Sequence, residues 1–298
     1  MSAPPTARMV SRVVRWYGDA ARDLPWRRPD TTAWGVLVSE VMLQQTPVAR
    51  VAPVYEEWLR RWPAPADLAA EPAGAAIRAW GRLGYPRRAL RLHECAVVVT
   101  ARYGGVVPHA VEELLTLPGV GDYTARAVAT FAYGAREAVV DTNVRRLVAR
   151  AWLGRADGGA ATTAADLVRV AALLPTEPAR AARASAALME LGALVCTARQ
   201  PACGTCPLRR PCAWHRAGMP ESTAPRAGQR YAGTDRQARG VLLALCRDSP
   251  DGVAARRLAD AWPDQAQATR ALAGLLADGL VVAVGRDRYG LPGLGGES

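Results

Sequence analysis

At 298 residues, half of them hydrophobic and 22% charged, the chain can bury a sizeable core in two domains and is too apolar to be disordered throughout. No apolar run approaches the roughly 20 residues of a membrane-spanning helix, and the first 14 residues carry Arg8 and Arg12 but no apolar stretch or cleavage site, so the expectation is a soluble cytoplasmic protein without a secretory signal or membrane partner. The formal charge is +11 and every one of the 38 basic side chains is arginine; this surplus suits a polyanionic partner, and the absence of lysine excludes chemistry that needs a lysine Schiff base.

In chain order, apolar periodicity predicts helices at 10–21, 34–44, 48–62, 75–83, 89–103, 110–117, 123–133, 143–152, 164–174 and 179–195, with no alternating strand pattern among them. Residues 218–235 are rich in Pro, Gly, Ser and Thr and read as a linker. Beyond it, helices at 236–247, 255–261 and 266–278 precede a short hairpin of 280–284 and 289–291, a winged-helix-like pattern. The predicted organisation is therefore a mainly α region at 1–217, a linker, and a small α+β domain at 236–298.

Four of the six cysteines cluster in one short stretch, as Cys196, Cys203, Cys206 and Cys212. In a cytoplasmic chain such clustering points to a metal, because short loops bring thiolates within a few ångströms of one another. The two-residue spacing alone suits zinc; the whole C-x6-C-x2-C-x5-C run is similar to the [4Fe-4S] loop of the endonuclease III superfamily. Cys95 and Cys246 lie on apolar helical faces and read as packing residues, and His215 reads as a loop residue, not a ligand.

Residues 112–132 read as two helices around Leu117-Pro118-Gly119-Val120-Gly121. Glycines on either side of Val120 permit a tight turn, and the second helix offers free amides at its positive dipole end, which suits phosphate. This stretch resembles the helix-hairpin-helix of base-excision glycosylases.

With Leu24-Pro25-Trp26-Arg27, Ser39-Glu40-Val41-Met42-Leu43-Gln44-Gln45-Thr46, Gly84-Tyr85, Arg91-Leu92-His93, Val140-Asp141-Thr142-Asn143 and the cysteine loop, residues 24–215 resemble MutY-type adenine DNA glycosylases. The winged-helix-like end is similar to that of actinobacterial members. The resemblance implies a six-helix barrel, a helix-hairpin-helix and an iron-sulfur subdomain, and a monomer acting on double-stranded DNA that contains adenine mispaired with 8-oxoguanine or guanine.

Purine glycosidic hydrolysis passes through an oxocarbenium-like state, so it needs an acid for the leaving base and a carboxylate for the sugar cation. By resemblance, Glu40 is the acid and Asp141 the carboxylate; Glu40 interrupts an apolar helical face, and Asp141 also reads as a helix N-cap. Tyr123 stands where bifunctional relatives carry their Schiff-base lysine, implying a monofunctional enzyme, or simply packs; Asn143 orients water or Asp141, or serves only as a first-turn polar residue. Gln45 and Leu43, at a helix break marked by Thr46 as N-cap and Pro47, are implied to wedge into the duplex, with a plain interhelical turn as the alternative. Trp26 and Arg27 are implied to line the adenine pocket, with Trp26 alternatively a core anchor; Tyr85, Gly119, Val120 and Gly121 are implied DNA contacts. Two departures stand out: Pro86 replaces a second tyrosine, and the larger Nudix-like module that reads 8-oxoguanine has no counterpart in the short stretch after Asp235. The arginines of that end are scattered, with Arg286 and Arg288 expected to share a face toward DNA. Two other functions fit parts of the pattern: a redox-sensing DNA-binding regulator, against which the pairing of Glu40 with Asp141 argues, and a glycosylase for another mismatched base.

Overall fold

The computed structural model describes residues 5–222 and 231–293; the middle of the expected linker, 223–230, lies outside them. Contacts divide the chain into two units, each assembled from segments distant in sequence: one from 1–36, 109–115 and 120–226, the other from 37–108, 116–119 and 227–298. Both are mainly helical, and no described helix is long and apolar enough to cross a membrane.

In the first unit, α1 (Pro5–Ala20) presents Met9, Val10 and Val13 to α11 (Pro178–Leu194), and α9 (Thr142–Ala151) packs on the same helix. Val144, Leu147, Ala184, Leu188 and Leu191 form the shared core, each essentially removed from water. The helix starts follow from side-chain chemistry. Asp141 caps α9; Thr163 and Asp166 cap α10 (Ala164–Leu173) reciprocally; Glu177 accepts the first free amides of α11, with Pro178 in the first turn, where no N–H is needed. Close approach of α11 to α9 requires Gly192, because a Cβ there would lie 2.7 Å from the carbonyl oxygen of Asn143. The unit also holds α7 (Val111–Leu114), α8 (Asp122–Tyr133) and α12 (Ala213–Arg216), the last of which contains His215.

The second unit takes in most of α2 (Ala33–Leu43), then α3 (Val48–Arg61), α4 (Pro65–Ala69), α5 (Ala73–Trp80) and α6 (Arg87–Tyr103). Trp58 stacks edge-on against Trp62 and Trp80 at 4.7 and 5.8 Å, anchoring these helices with three buried indoles. Its C-terminal part runs α13 (Asp235–Arg247), β1 (Val253–Ala254), α14 (Ala255–Asp260), α15 (Gln265–Ala277), β2 (Val282–Gly285) and β3 (Arg288–Gly290), with an antiparallel sheet of order β1-β3-β2. This is a winged-helix arrangement. It packs on the preceding helices: Gly74 N–H donates to the Pro292 carbonyl at 2.8 Å, Arg78 Nε to the Arg247 carbonyl at 3.2 Å, and Arg87 pairs with Asp278 at 3.4 Å.

Several sequence expectations change here. Residues 34–42 of α2 are buried on every side, so Glu40 interrupts no amphipathic face but sits in a wholly buried helix. Pro47, not Thr46, is the N-cap of α3; its carbonyl accepts from Arg50 and Val51, while the Thr46 hydroxyl serves the Gln44 and Leu83 carbonyls. The five-residue α4 and two-residue β1 are too short for periodicity to register. In the hairpin, Gly285 pairs with Arg288, which puts Arg286 and Asp287 in the turn, and the Arg288 guanidinium donates to the Asp251 and Gly252 carbonyls, so the two arginines do not share an outward face.

Candidate functional site

In the first unit, Asp141 directs its two oxygens to separate tasks. Oδ1 accepts the Val144 N–H at 2.7 Å as the cap of α9, and Oδ2 accepts from Asn143 Nδ2 at 2.7 Å. Asn143 Oδ1 in turn accepts from Arg146 Nη2 at 2.8 Å, and Arg146 also donates to the carbonyls of Gly192 and Cys196, both at 2.7 Å. A continuous chain thus runs from the Asp141 carboxylate to the first cysteine of the loop. Burial pushes the Asp141 carboxyl above its ordinary value, against the pull of these hydrogen bonds and of the Arg146 charge. The expected cap role of Asp141 is met, and Asn143 is a partner of Asp141 and not merely a first-turn polar residue.

The four cysteines line one pocket, with Leu147, Val195, Leu208 and Trp214 as apolar wall. Burial raises the Cys206 thiol to about 11, and Cys196, Cys203 and Cys212 all lie close enough to raise it further. Among the described residues no three His, Cys, Asp or Glu side chains are grouped closely enough to hold a metal ion. Arg150, nearly buried, holds the loop through the carbonyls of Ala156, Thr197 and Ala198 and donates to Cys196 Sγ at 3.6 Å, with its guanidinium over the Trp214 ring. Cys95 and Cys246 are buried packing residues, as expected.

Trp26 is buried and Arg27 donates to Glu190 Oε2 at 3.0 Å. Arg22 meets the same carboxylate in bidentate fashion, both distances 2.8 Å. Glu190 is fully buried; burial pushes its carboxyl up, yet the hydrogen bonds from Arg22 and Arg27 outweigh that and take it down to about 2. Arg27 Nη1 is buried with no hydrogen-bond partner among the described residues. The sequence reading missed Glu190 and Arg22, although an acid in the run Ala-Leu-Met-Glu-Leu-Gly carries the same signal that singled out Glu40.

Tyr123, half-buried, lies in the first turn of α8, and Gly121 is that helix's N-cap with open space where a Cβ would stand. In the second unit, Gly119 has φ +78°, and a Cβ there would press to 2.7 Å from that of Arg91, so glycine is required on two counts. Glu40 is 7% exposed. Leu43 ends α2, and Gln45 stands exposed at φ +56° in the turn that follows; Tyr85, also exposed, has φ +48°.

Residues 38–171 match the family model described as HhH-GPD superfamily base excision DNA repair protein. The chain is 57% identical to the adenine DNA glycosylase of Mycolicibacterium smegmatis over 284 residues, 95% of this chain and 96% of that protein. Identity to the adenine DNA glycosylase of Mycobacterium tuberculosis is 55% over 287 residues, 96% and 94% of the two chains. Among solved structures, a thermostable thymine-DNA glycosylase superposes with a TM-score of 0.64 at 27% identity, covering 71% of this chain and 97% of that one.

Proposed function

Because the chain belongs to the HhH-GPD superfamily of base excision DNA repair proteins, and within it to the adenine DNA glycosylases, we propose that it acts as a cytoplasmic monomer that hydrolyses adenine from double-stranded DNA where adenine is mispaired with 8-oxoguanine or guanine. The observation that carries the reading is the Asp141 carboxylate, partly buried, fixed by the Val144 N–H and Asn143, and raised in pKa by its surroundings. A carboxylate in such a low-dielectric setting stabilises a developing sugar cation more than one in water does.

In this mechanism Glu40 delivers a proton to the adenine ring, which leaves as a neutral base. Asp141 faces the cationic sugar carbon, and Asn143 holds Asp141 in that orientation. Water adds to the sugar carbon and its released proton restores the Glu40 carboxyl, since no lysine exists to form a Schiff base and Tyr123 occupies the corresponding step of α8. The amides of Gly119, Val120 and Gly121 bind a backbone phosphate at the start of α8. Gln45 and Leu43 fill the gap left by the extruded adenine, Tyr85 lies along the strand, and Trp26 with the Glu190-held Arg27 lines the base pocket.

Cys196, Cys203, Cys206 and Cys212 would hold a [4Fe-4S] cluster. Four thiols lining one pocket with an apolar wall are the donor set that an iron-sulfur cluster takes. When bound, that group supplies a rigid cross-link to the loop that Arg146 and Arg150 tie to α9.

Single-turnover release of adenine from duplexes carrying it opposite 8-oxoguanine, guanine and cytosine tests the substrate. Glu40→Gln and Asp141→Asn should still bind duplex while losing excision by about 10²-fold or more. Rates within a few-fold of the unaltered protein would remove that residue from the mechanism.

A further inference from the structure

Arg88, in the first turn of α6, makes more hydrogen bonds than its place in the sequence Arg87-Arg88-Ala89-Leu90-Arg91 suggests. Nη1 donates to the carbonyls of Val41 (2.9 Å), Met42 (3.1 Å) and Gln44 (2.6 Å); Nη2 donates to Thr46 Oγ1 and the Gly84 carbonyl, both at 3.1 Å. The guanidinium lies 5.3 Å from the Trp80 ring centre and 5.2 Å from that of Tyr85. Burial lowers its pKa to about 10, so it remains a cation at neutral pH.

Val41 and Met42 belong to the last turn of the helix that carries Glu40, where backbone carbonyls lack intrahelical donors and a cation is favoured. Gln44 and Thr46 flank Gln45; Gly84 precedes Tyr85. Gln45 and Tyr85 are two of only four described non-glycine residues with positive φ, a conformation that costs energy for any L side chain and persists only when neighbours over-determine it. One guanidinium therefore bonds to both turns.

We propose that Arg88 is a positioning residue that presets the Gln45 turn for insertion into the duplex. This rests on reading Gln45 as the residue that fills the gap beside the extruded base. Because the turn is set during folding, no ordering is required when DNA arrives, and base extrusion is the step that benefits. Lysine cannot substitute fully: three tetrahedral donors do not span five acceptors arranged around a plane.

The experiment follows extrusion by stopped-flow fluorescence, using duplexes in which 2-aminopurine replaces the target adenine opposite 8-oxoguanine, alongside single-turnover adenine excision. Arg88→Gln should lower the extrusion amplitude and the excision rate together, about ten-fold, while thermal unfolding stays within a few degrees. Arg88→Lys, which keeps charge and most of the bulk, should fall between, in protein with unaltered circular dichroism. Gln45→Ala should show the same loss, and the Gln45→Ala/Arg88→Gln double variant should be no worse than Gln45→Ala alone. If Gln45→Ala loses extrusion while both Arg88 variants extrude normally, or if the double variant shows the two losses multiplied, the positioning role is wrong and the wedge stands. If Gln45→Ala extrudes normally, the wedge reading itself fails, and the proposal with it.

Discussion

Glu190→Gln isolates a purely electrostatic contribution in the first unit. The carboxyl falls to about 2 in the folded protein, against an unfolded value near 4.3, a difference worth about 3 kcal/mol at neutral pH. Because the folded value is the lower one, this stability is fully present above about pH 4.3 and is lost as pH falls toward 2. At pH 3 the unfolded carboxyl is already protonated while the folded one is mostly ionised, which leaves about half of it. Glutamine keeps the shape but removes the charge that Arg22 and Arg27 converge on, at distances of 2.8 to 3.0 Å. Urea unfolding of both proteins at pH 7, 5 and 3 should therefore show a gap of about 3 kcal/mol at the first two values, halved at the third. A gap that is absent at pH 7, or as large at pH 3 as at pH 7, would refute the assignment of that stability to an ionised, doubly paired Glu190.

Excision should fall on the acid side at a higher pH than an ordinary aspartate of about 3.9 would set, since the Asp141 carboxyl is raised and must be ionised to act; a single-turnover pH profile with its acid limb at or below that value would contradict this. Gly192→Ala places a Cβ 2.7 Å from the Asn143 carbonyl and should cost about 1 to 3 kcal/mol in urea unfolding, and it should slow excision as well, because the Gly192 carbonyl is an Arg146 acceptor. Arg150→Met removes donors to three loop carbonyls and Cys196 Sγ, and iron content per protein, measured by metal analysis, should drop relative to the unaltered chain. Deleting 235–298 should leave the salt dependence of duplex binding within about one unit of slope, read from binding titrations at several salt concentrations, while lowering thermal stability through the lost contacts to Gly74, Arg78 and Arg87.

Asp141 stood out because two independent signals coincide there, a motif and a helix-start position, and the fold honours the second: its side chain caps α9. Glu40 was legible for a partly mistaken reason: its helix has no solvent face to interrupt, since α2 is apolar nearly all round and buried accordingly. Glu190 carried an equally readable signal, whereas its meaning did not, because the arginines that pair with it lie 163 and 168 residues away. Arg88 is the clearest case of what local pattern conceals. In a run of arginines at a helix start it looks like solvated surface, and only the meeting of α6 with the end of α2, well beyond the reach of any local window, buries it. Elements as short as β1 have no periodicity to detect and form through tertiary pairing alone.

The distribution of charge bears on how this protein meets DNA. From Asp235 to Ser298 there are eight arginines and eight acidic residues, which cancel, so the whole surplus of +11 resides in the part of the chain before Asp235. Within the winged-helix part, Arg239 pairs with Asp278, Arg270 faces Asp235 and Arg288 is spent on backbone carbonyls, an inventory that suits a packed module better than a broad phosphate footprint. In the rest of the chain, Arg22 and Arg27 converge on a buried carboxylate, and Arg88, Arg146 and Arg150 direct their guanidiniums at backbone carbonyls. These are tasks for a planar fork with five donors, and a chain without lysine performs them with arginine throughout. The count of 38 basic residues therefore overstates the cations available to phosphate. The slope of binding against salt should reflect the exposed arginines that reach phosphate, and the arginines that this fold has turned inward should add nothing to it.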